Sequence, residues 1–447
     1  MAEQQDKFGR YALVVLVMGA LGRLLWRILV RPPFSLSVGD GSYAPAAQNI
    51  LRVNFHALGY RVPVYPLLLA LCGLNPRAIW VMQSILGIAA SLMIFDIAFS
   101  RMRHGPFSLL FGFACSLIPE VLLYESLVDT EALTNFLLVT TIWLITRGDG
   151  AGESNMRYPL GLGSIVALAG LTHPLMICLV PVYYCFLVPL WPPAQILRRG
   201  NIKKTLFFAL PVILLISGWC GFNYFNSGFF TPTTGAGQHL MSQVDPYVAL
   251  APDRFAVLRD AWLRSRQQTD DDFSRSPTAV YDGALPEMER QTRKTESQVC
   301  HELLSLALYL ESHHPLLCLR RAELGWIMFW GKPTSEEVKW VQGGNTRLVE
   351  FVTAIANFLV REVKGAFLVL ALLSVLSVLL RLKIFTKVEY LIFTMVLWAS
   401  VFAAFTNFGE NRRYCVPFYM LIVYTLMTRG WLWITASSSR GHGVISR

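Results

Sequence analysis

The chain has 447 residues, 54% of them hydrophobic and 15% charged, with a mean hydropathy of +0.46. Soluble domains carry about a quarter charged residues, so the composition excludes an ordinary soluble globular protein and specifies an all-α polytopic membrane protein. The net charge of +10 does not point to a nucleic-acid partner, because the basic residues fall in short loops between apolar runs, where they set membrane orientation.

Ten apolar runs are predicted to cross the bilayer as helices: 11–30, 77–99, 106–119, 131–147, 159–173, 175–191, 205–224, 365–380, 388–405 and 413–434. A spanning helix needs about 20 apolar residues, and fewer when other helices surround it. The first run, "YALVVLVMGALGRLLWRILV", lacks a small-x-small cleavage site and carries Arg23 and Arg27, so it reads as a retained helix rather than a leader. The runs on either side of His173-Pro174 read equally well as one kinked helix. With a cytoplasmic N-terminus, the inner loops collect Arg101, Arg103, Arg147, Arg157, Arg198, Arg199, Lys203, Lys204, Arg381, Lys383 and Lys387. The loop "PEVLLYESLVDTE" instead holds four acids and no base, as an outer loop should.

Three regions follow: an N-terminal transmembrane module over 1–225 with a first outer loop at 31–76, a small, mostly helical external domain over 226–364, and C-terminal spans over 365–447. The external domain is expected to rest on the membrane through Trp326 and Trp330. None of the eight cysteines forms a CxxC pair. Cys300 and Cys318 are candidates for a disulfide in an oxidising compartment, a connectivity that sequence does not decide.

On this topology Asp40, Arg61, Glu120, Glu125, Asp129, Glu131, His173, His239, Glu410, Arg412 and Arg413 gather at one membrane face. Each alone is explained as well by a helix cap or a solvated loop. Asp129-Thr130-Glu131 is also an ordinary helix start, with acids favoured in the first turn. Together they place carboxylates and arginines on one face, with no metal motif and no glycine-rich nucleotide loop.

The order of motifs resembles the GT-C superfamily of membrane glycosyltransferases, which includes protein O-mannosyltransferases and bacterial aminoarabinose transferases. The likeness runs through "GDGSYAPAAQNI", "YRVPVYPLLLAL", "YESLVDTEALTNFLL", "LTHPLMICLVPV", "SGWCGFNYFNSGFFTPTTGAGQHL", "ESHHPLLCLRRAELGWIMFW" and "ENRRYCVPFYMLIVY". The resemblance implies transfer of a sugar from a polyprenyl-phosphate carrier to a lipid, glycan or protein acceptor, with inversion, outside a bacterial inner membrane and with both termini cytoplasmic. It implies Asp40 as the base that takes the acceptor's proton, with Glu131 or Asp129 as the second acidic position. Arg61, Arg412 and Arg413 would meet the carrier phosphate, with Tyr43, Tyr65, His173, His239 and Tyr414 as further ligand contacts. No cofactor is implied with certainty, and a divalent metal stays open.

The chain departs from the family where Gly41 follows Asp40, where Phe222 precedes Asn223-Tyr224, and where His173 stands for a frequent arginine. These departures leave the donor's identity open. A transporter or flippase of a lipid-linked sugar, a polysaccharide polymerase or ligase, and a noncatalytic subunit are the competing readings. Transporters show repeated halves and broken helices near the midplane, and neither is visible here.

Overall fold

A computed structural model describes residues 2–30, 35–36, 42–54, 60–148, 156–188, 198–268, 277–331 and 346–442. Among them the regular structure is helical, without a β-strand. The helices are α1 (Ala2–Val30), α2 (Tyr43–Leu51), α3 (Val64–Leu71), α4 (Pro76–Met102), α5 (Gly105–Ser116), α6 (Pro119–Tyr124), α7 (Glu131–Gly148), α8 (Arg157–Gly170) and α9 (Val180–Leu187). They continue with α10 (Arg199–Ser227), α11 (Ala236–Val244), α12 (Ala256–Gln268), α13 (Pro277–Thr292), α14 (Glu296–His313), α15 (Pro315–Trp330), α16 (Thr346–Leu379), α17 (Lys387–Thr406) and α18 (Tyr419–His442). Short 3₁₀ turns at Pro174–Leu179 and Arg413–Phe418 lead into α9 and α18.

Local chemistry explains where several helices start. Asn75 accepts from the amides of Arg77 and Ala78 ahead of Pro76, so α4 begins with a side-chain cap and a proline that has no amide to satisfy. Thr386 and Glu389 close a reciprocal capping box at the start of α17.

Among the described residues, six segments are long and apolar enough to cross a membrane: Asp6–Val30, Pro76–Met102, Gly200–Ser227, Val360–Leu379, Lys387–Thr406 and Arg413–Thr435. The other four expected runs form shorter or more polar helices. At 1.5 Å per residue, the 12 residues of α5 reach only about 18 Å before Pro119 starts α6. Helix α7 is buried on most of its faces, including Thr134, Asn135 and Thr141. A helix enclosed by other helices needs no lipid-facing stripe, which is why its sequence is less apolar than a lipid-exposed span.

One large apolar core runs from Val30 to Tyr424 through these helices. A second core, built around Trp262 and Leu303, belongs to α11–α14. The proposed boundary at 364/365 falls inside the continuous helix α16, so the division drawn from composition cuts a single element. Trp326 donates to Ser400 of α17 at 3.0 Å, and Trp330 stacks on Phe367 of α16. Both tryptophans therefore pin α15 to the bundle. Cys300 and Cys318 are free thiols, and Cys300 Sγ lies 2.9 Å from the Tyr281 hydroxyl.

At one end of the bundle, Arg147 closes on Asp96, which also accepts from Trp143 at 2.7 Å, and Arg429 closes on Glu389. The turn after α8, the stretch between α10 and α11, and the end of α17 instead border a cavity that also takes in α11.

Candidate functional site

The cavity holds about 310 Å³ and is bordered by the segment before α3, the turn after α8, the stretch between α10 and α11, and the end of α17 with the turn that follows. Seven of the residues singled out from sequence line it: Tyr43, Arg61, His173, His239, Glu410, Arg413 and Tyr414. They come from five separate parts of the chain, and only the fold brings them together.

Arg61 is set on its wall by aromatic neighbours. Its Nε donates to Ser42 Oγ at 2.6 Å, and its guanidinium lies 4.7 Å from the Tyr43 ring centre and 5.0 Å from that of Tyr60. Two aromatic faces help hold the cation in place. Three residues on, the Val64 amide donates to Leu171 O at 3.0 Å, which ties the start of α3 to the turn after α8.

Arg413 stands opposite in character. Its Nε donates to Glu131 and its Nη2 to Asp129, while Nη1 lies 3.9 Å from Glu410. Asp129 and Glu131 are buried at the start of α7 and do not line the cavity. Two carboxylates thus occupy most of the Arg413 fork, so this arginine is a tethered wall residue rather than an open anion receptor. The two acids serve as its counter-ions.

Two more expectations change. Tyr65 is fully buried, donates to Gln83 Oε1 at 2.9 Å and packs edge-on against Tyr43, so it supports the wall from behind. Gln83 in turn donates to the carbonyls of Glu125 and Leu127, which ties α3 and α4 to the chain entering α7. Arg412 does not line the cavity; it lies toward Gly331 at the end of α15. Asp40 lies outside the described residues.

The remaining polar residues form a connected set. His239 Nδ1 is 3.2 Å from Asn407 Nδ2, which also donates to the Tyr414 hydroxyl; that hydroxyl donates to Glu410 Oε2 at 3.3 Å. Ser242 Oγ, which donates to His239 O at 2.6 Å, lies 3.3 Å from Asn407 Oδ1. His173 accepts from the Leu175 amide through Nδ1 and packs edge-on against Tyr414.

Sequence reasoning missed Tyr60, Thr231, Thr233 and Asn407 as wall residues, and left Glu410 without a role there. Thr233 donates to Tyr60 O at 2.6 Å and accepts from the Gly235 amide, while Trp219 and Asn223 of α10 donate to the carbonyls of Pro232 and Thr231. The "FNY" and "TPTT" stretches are therefore one unit, a relation that only a helix ending between them reveals. Among the described residues, no cluster of three or more His, Cys, Asp or Glu is arranged to hold a metal ion. No family model, curated protein or solved structure matches the chain.

Proposed function

We propose that the protein is an inverting glycosyltransferase that takes a sugar from a polyprenyl-phosphate carrier. The observation that carries this reading is the character of the cavity. A cation between two aromatic rings and a carboxylate share its wall with an apolar side that includes Ile177 and Phe402. Phe402 is partly exposed and belongs to α17, one of the long apolar helices. A ligand with a lipid tail, a phosphate and a polar headgroup fits all three features at once.

In the proposed reaction, an acceptor hydroxyl or amine attacks the anomeric carbon from the side opposite the phosphate. The bond from that carbon to the phosphate oxygen breaks, and its electron pair leaves with the lipid phosphate. Arg61 stabilises the charge that develops on the departing oxygen. Asp40, two positions before the Ser42 that holds Arg61, takes the acceptor's proton. We place the cavity on the extracytoplasmic face, with both termini in the cytoplasm. The shorter helices α5, α7, α8 and α9 complete about ten crossings within the enclosed bundle.

The test is incubation of the purified protein, in bilayer discs, with a panel of radiolabelled polyprenyl-phosphate sugars and extracted lipid, glycan and protein acceptors. Release of polyprenyl phosphate with labelled acceptor of inverted configuration is expected for one donor. Movement of donor between leaflets with no transfer to any acceptor would replace this reading with a flippase.

A further inference from the structure

Three carboxylates surround Arg413, and they are not equivalent. Asp129 and Glu131 are buried and each receives a guanidinium N–H. Glu410 is different: its side chain is 38% exposed, it lines the cavity, and its nearest Arg413 nitrogen is 3.9 Å away. Oε2 accepts from Tyr414 at 3.3 Å, and among the described residues Oε1 accepts no hydrogen bond. One guanidinium already balanced by two closer acids leaves Glu410 as the carboxylate turned toward ligand.

Its placement is built into the backbone. Gly409 has φ +106°, a region that side-chain-bearing residues rarely adopt, so the chain turns there immediately before Glu410. Phe408 N donates to Ser242 Oγ at 2.9 Å, and Asn411 Nδ2 donates to the carbonyls of Ala403 and Asn407. The turn is fastened on both sides of the glutamate. Glu410 therefore sits on a fixed support, as a recognition group should.

We infer that Glu410 is the headgroup-recognition residue of this cavity, accepting hydrogen bonds from hydroxyl or amino groups of the sugar while Arg61 meets the phosphate. This rests on the lipid-phosphate-sugar reading above and adds to it the residue that distinguishes a glycosylated carrier from a bare one. An ionised carboxylate makes stronger hydrogen bonds to such donors than a neutral amide does, so its loss should fall on the sugar and spare the phosphate.

The experiment compares two probes on the full chain in bilayer discs: citronellyl phosphate, and a panel of citronellyl-phospho-sugars from which the tightest is taken. The wild-type protein is expected to prefer the glycosylated probe. Glu410→Gln, which keeps shape and the Tyr414 contact, should lower affinity for that probe by roughly ten-fold or more and leave citronellyl phosphate binding unchanged. Glu410→Asp should recover part of the preference, whereas Arg61→Ala should weaken both probes together. A Gln variant that keeps the wild-type ratio of the two affinities would overturn the Glu410 assignment alone. Failure of the wild-type protein to bind either probe would overturn the carrier reading and this inference with it.

Discussion

Arg23 of α1 grips Glu125 with two parallel hydrogen bonds, Nη2 to Oε1 at 2.6 Å and Nε to Oε2 at 2.7 Å, and both side chains are buried. The same guanidinium donates to Ser116 Oγ at 2.9 Å, so one ion pair joins α1, α5 and the chain after α6. Gly87 of α4 lies directly against the pair, where a Cβ would overlap both partners. Removing one partner strands the other in a low-dielectric interior. Arg23→Met and Glu125→Ala should each destabilise the protein by about 3–5 kcal/mol. The double variant Arg23→Met/Glu125→Leu should lose less than the sum, and Gly87→Val should resemble the single variants. Thermal unfolding in detergent measures all four; additive losses in the double variant would show that the pair is not coupled.

The counter-ion role of Asp129 and Glu131 makes a different prediction from a catalytic one. Asp129→Asn and Glu131→Gln should lower stability, by an amount of the order of the 3–5 kcal/mol seen when buried pairs are broken, and Arg413→Met should relieve part of the loss. A catalytic acid would instead leave stability unchanged while abolishing turnover. Unfolding midpoints of the single and paired variants separate the two roles.

Glu311 gives the α11–α14 region a pH response. It lies on α14 with Oε1 buried and without a hydrogen-bond partner among the described residues, and burial pushes its carboxyl up to about 7 from an ordinary 4.5. The folded state therefore holds the proton more tightly than the unfolded one. Stability from this group is full below pH 4.5 and is lost as pH rises through about 7. Glu311→Gln should raise the unfolding midpoint at pH 8 and leave it unchanged at pH 4.5. Equal shifts at both pH values would mean that the carboxylate is well solvated.

Orientation is tested with single cysteines in a Cys185→Ser background, since Cys185 is the exposed thiol among the described cysteines. A cysteine at Lys203 should resist a membrane-impermeant maleimide in intact cells, while one at Arg290 should react. The reverse pattern would put the cavity on the cytoplasmic side and remove the extracytoplasmic reaction.

Much of the bundle was legible because long apolar runs bounded by Asn, Thr, Pro and basic residues admit few other structures. The span count was less so. Length separates a span from a buried helix poorly when, as in α7, threonines and an asparagine face other helices rather than lipid. At the site, the residue types were readable but their partners were not. Arg412 and Arg413 are adjacent and chemically alike, yet one lies toward Gly331 and the other between Asp129 and Glu131. That choice follows from the 3₁₀ turn that begins at Arg413, which aims successive side chains in different directions. Asn407 and Glu410 gave only a weak signal, a glycine between polar residues just past a span, and Tyr60 gave none beyond its place beside Arg61.

The central claim is that this cavity performs glycosyl transfer with Asp40 as the proton acceptor, and single-turnover transfer by Asp40→Asn tests it most directly. The amide keeps the size of the side chain and removes its basicity. With the donor identified from the panel, the variant should bind carrier as the wild-type protein does and transfer its sugar at least ~10²-fold more slowly. A folded Asp40→Asn protein that transfers sugar at the wild-type rate would contradict the account.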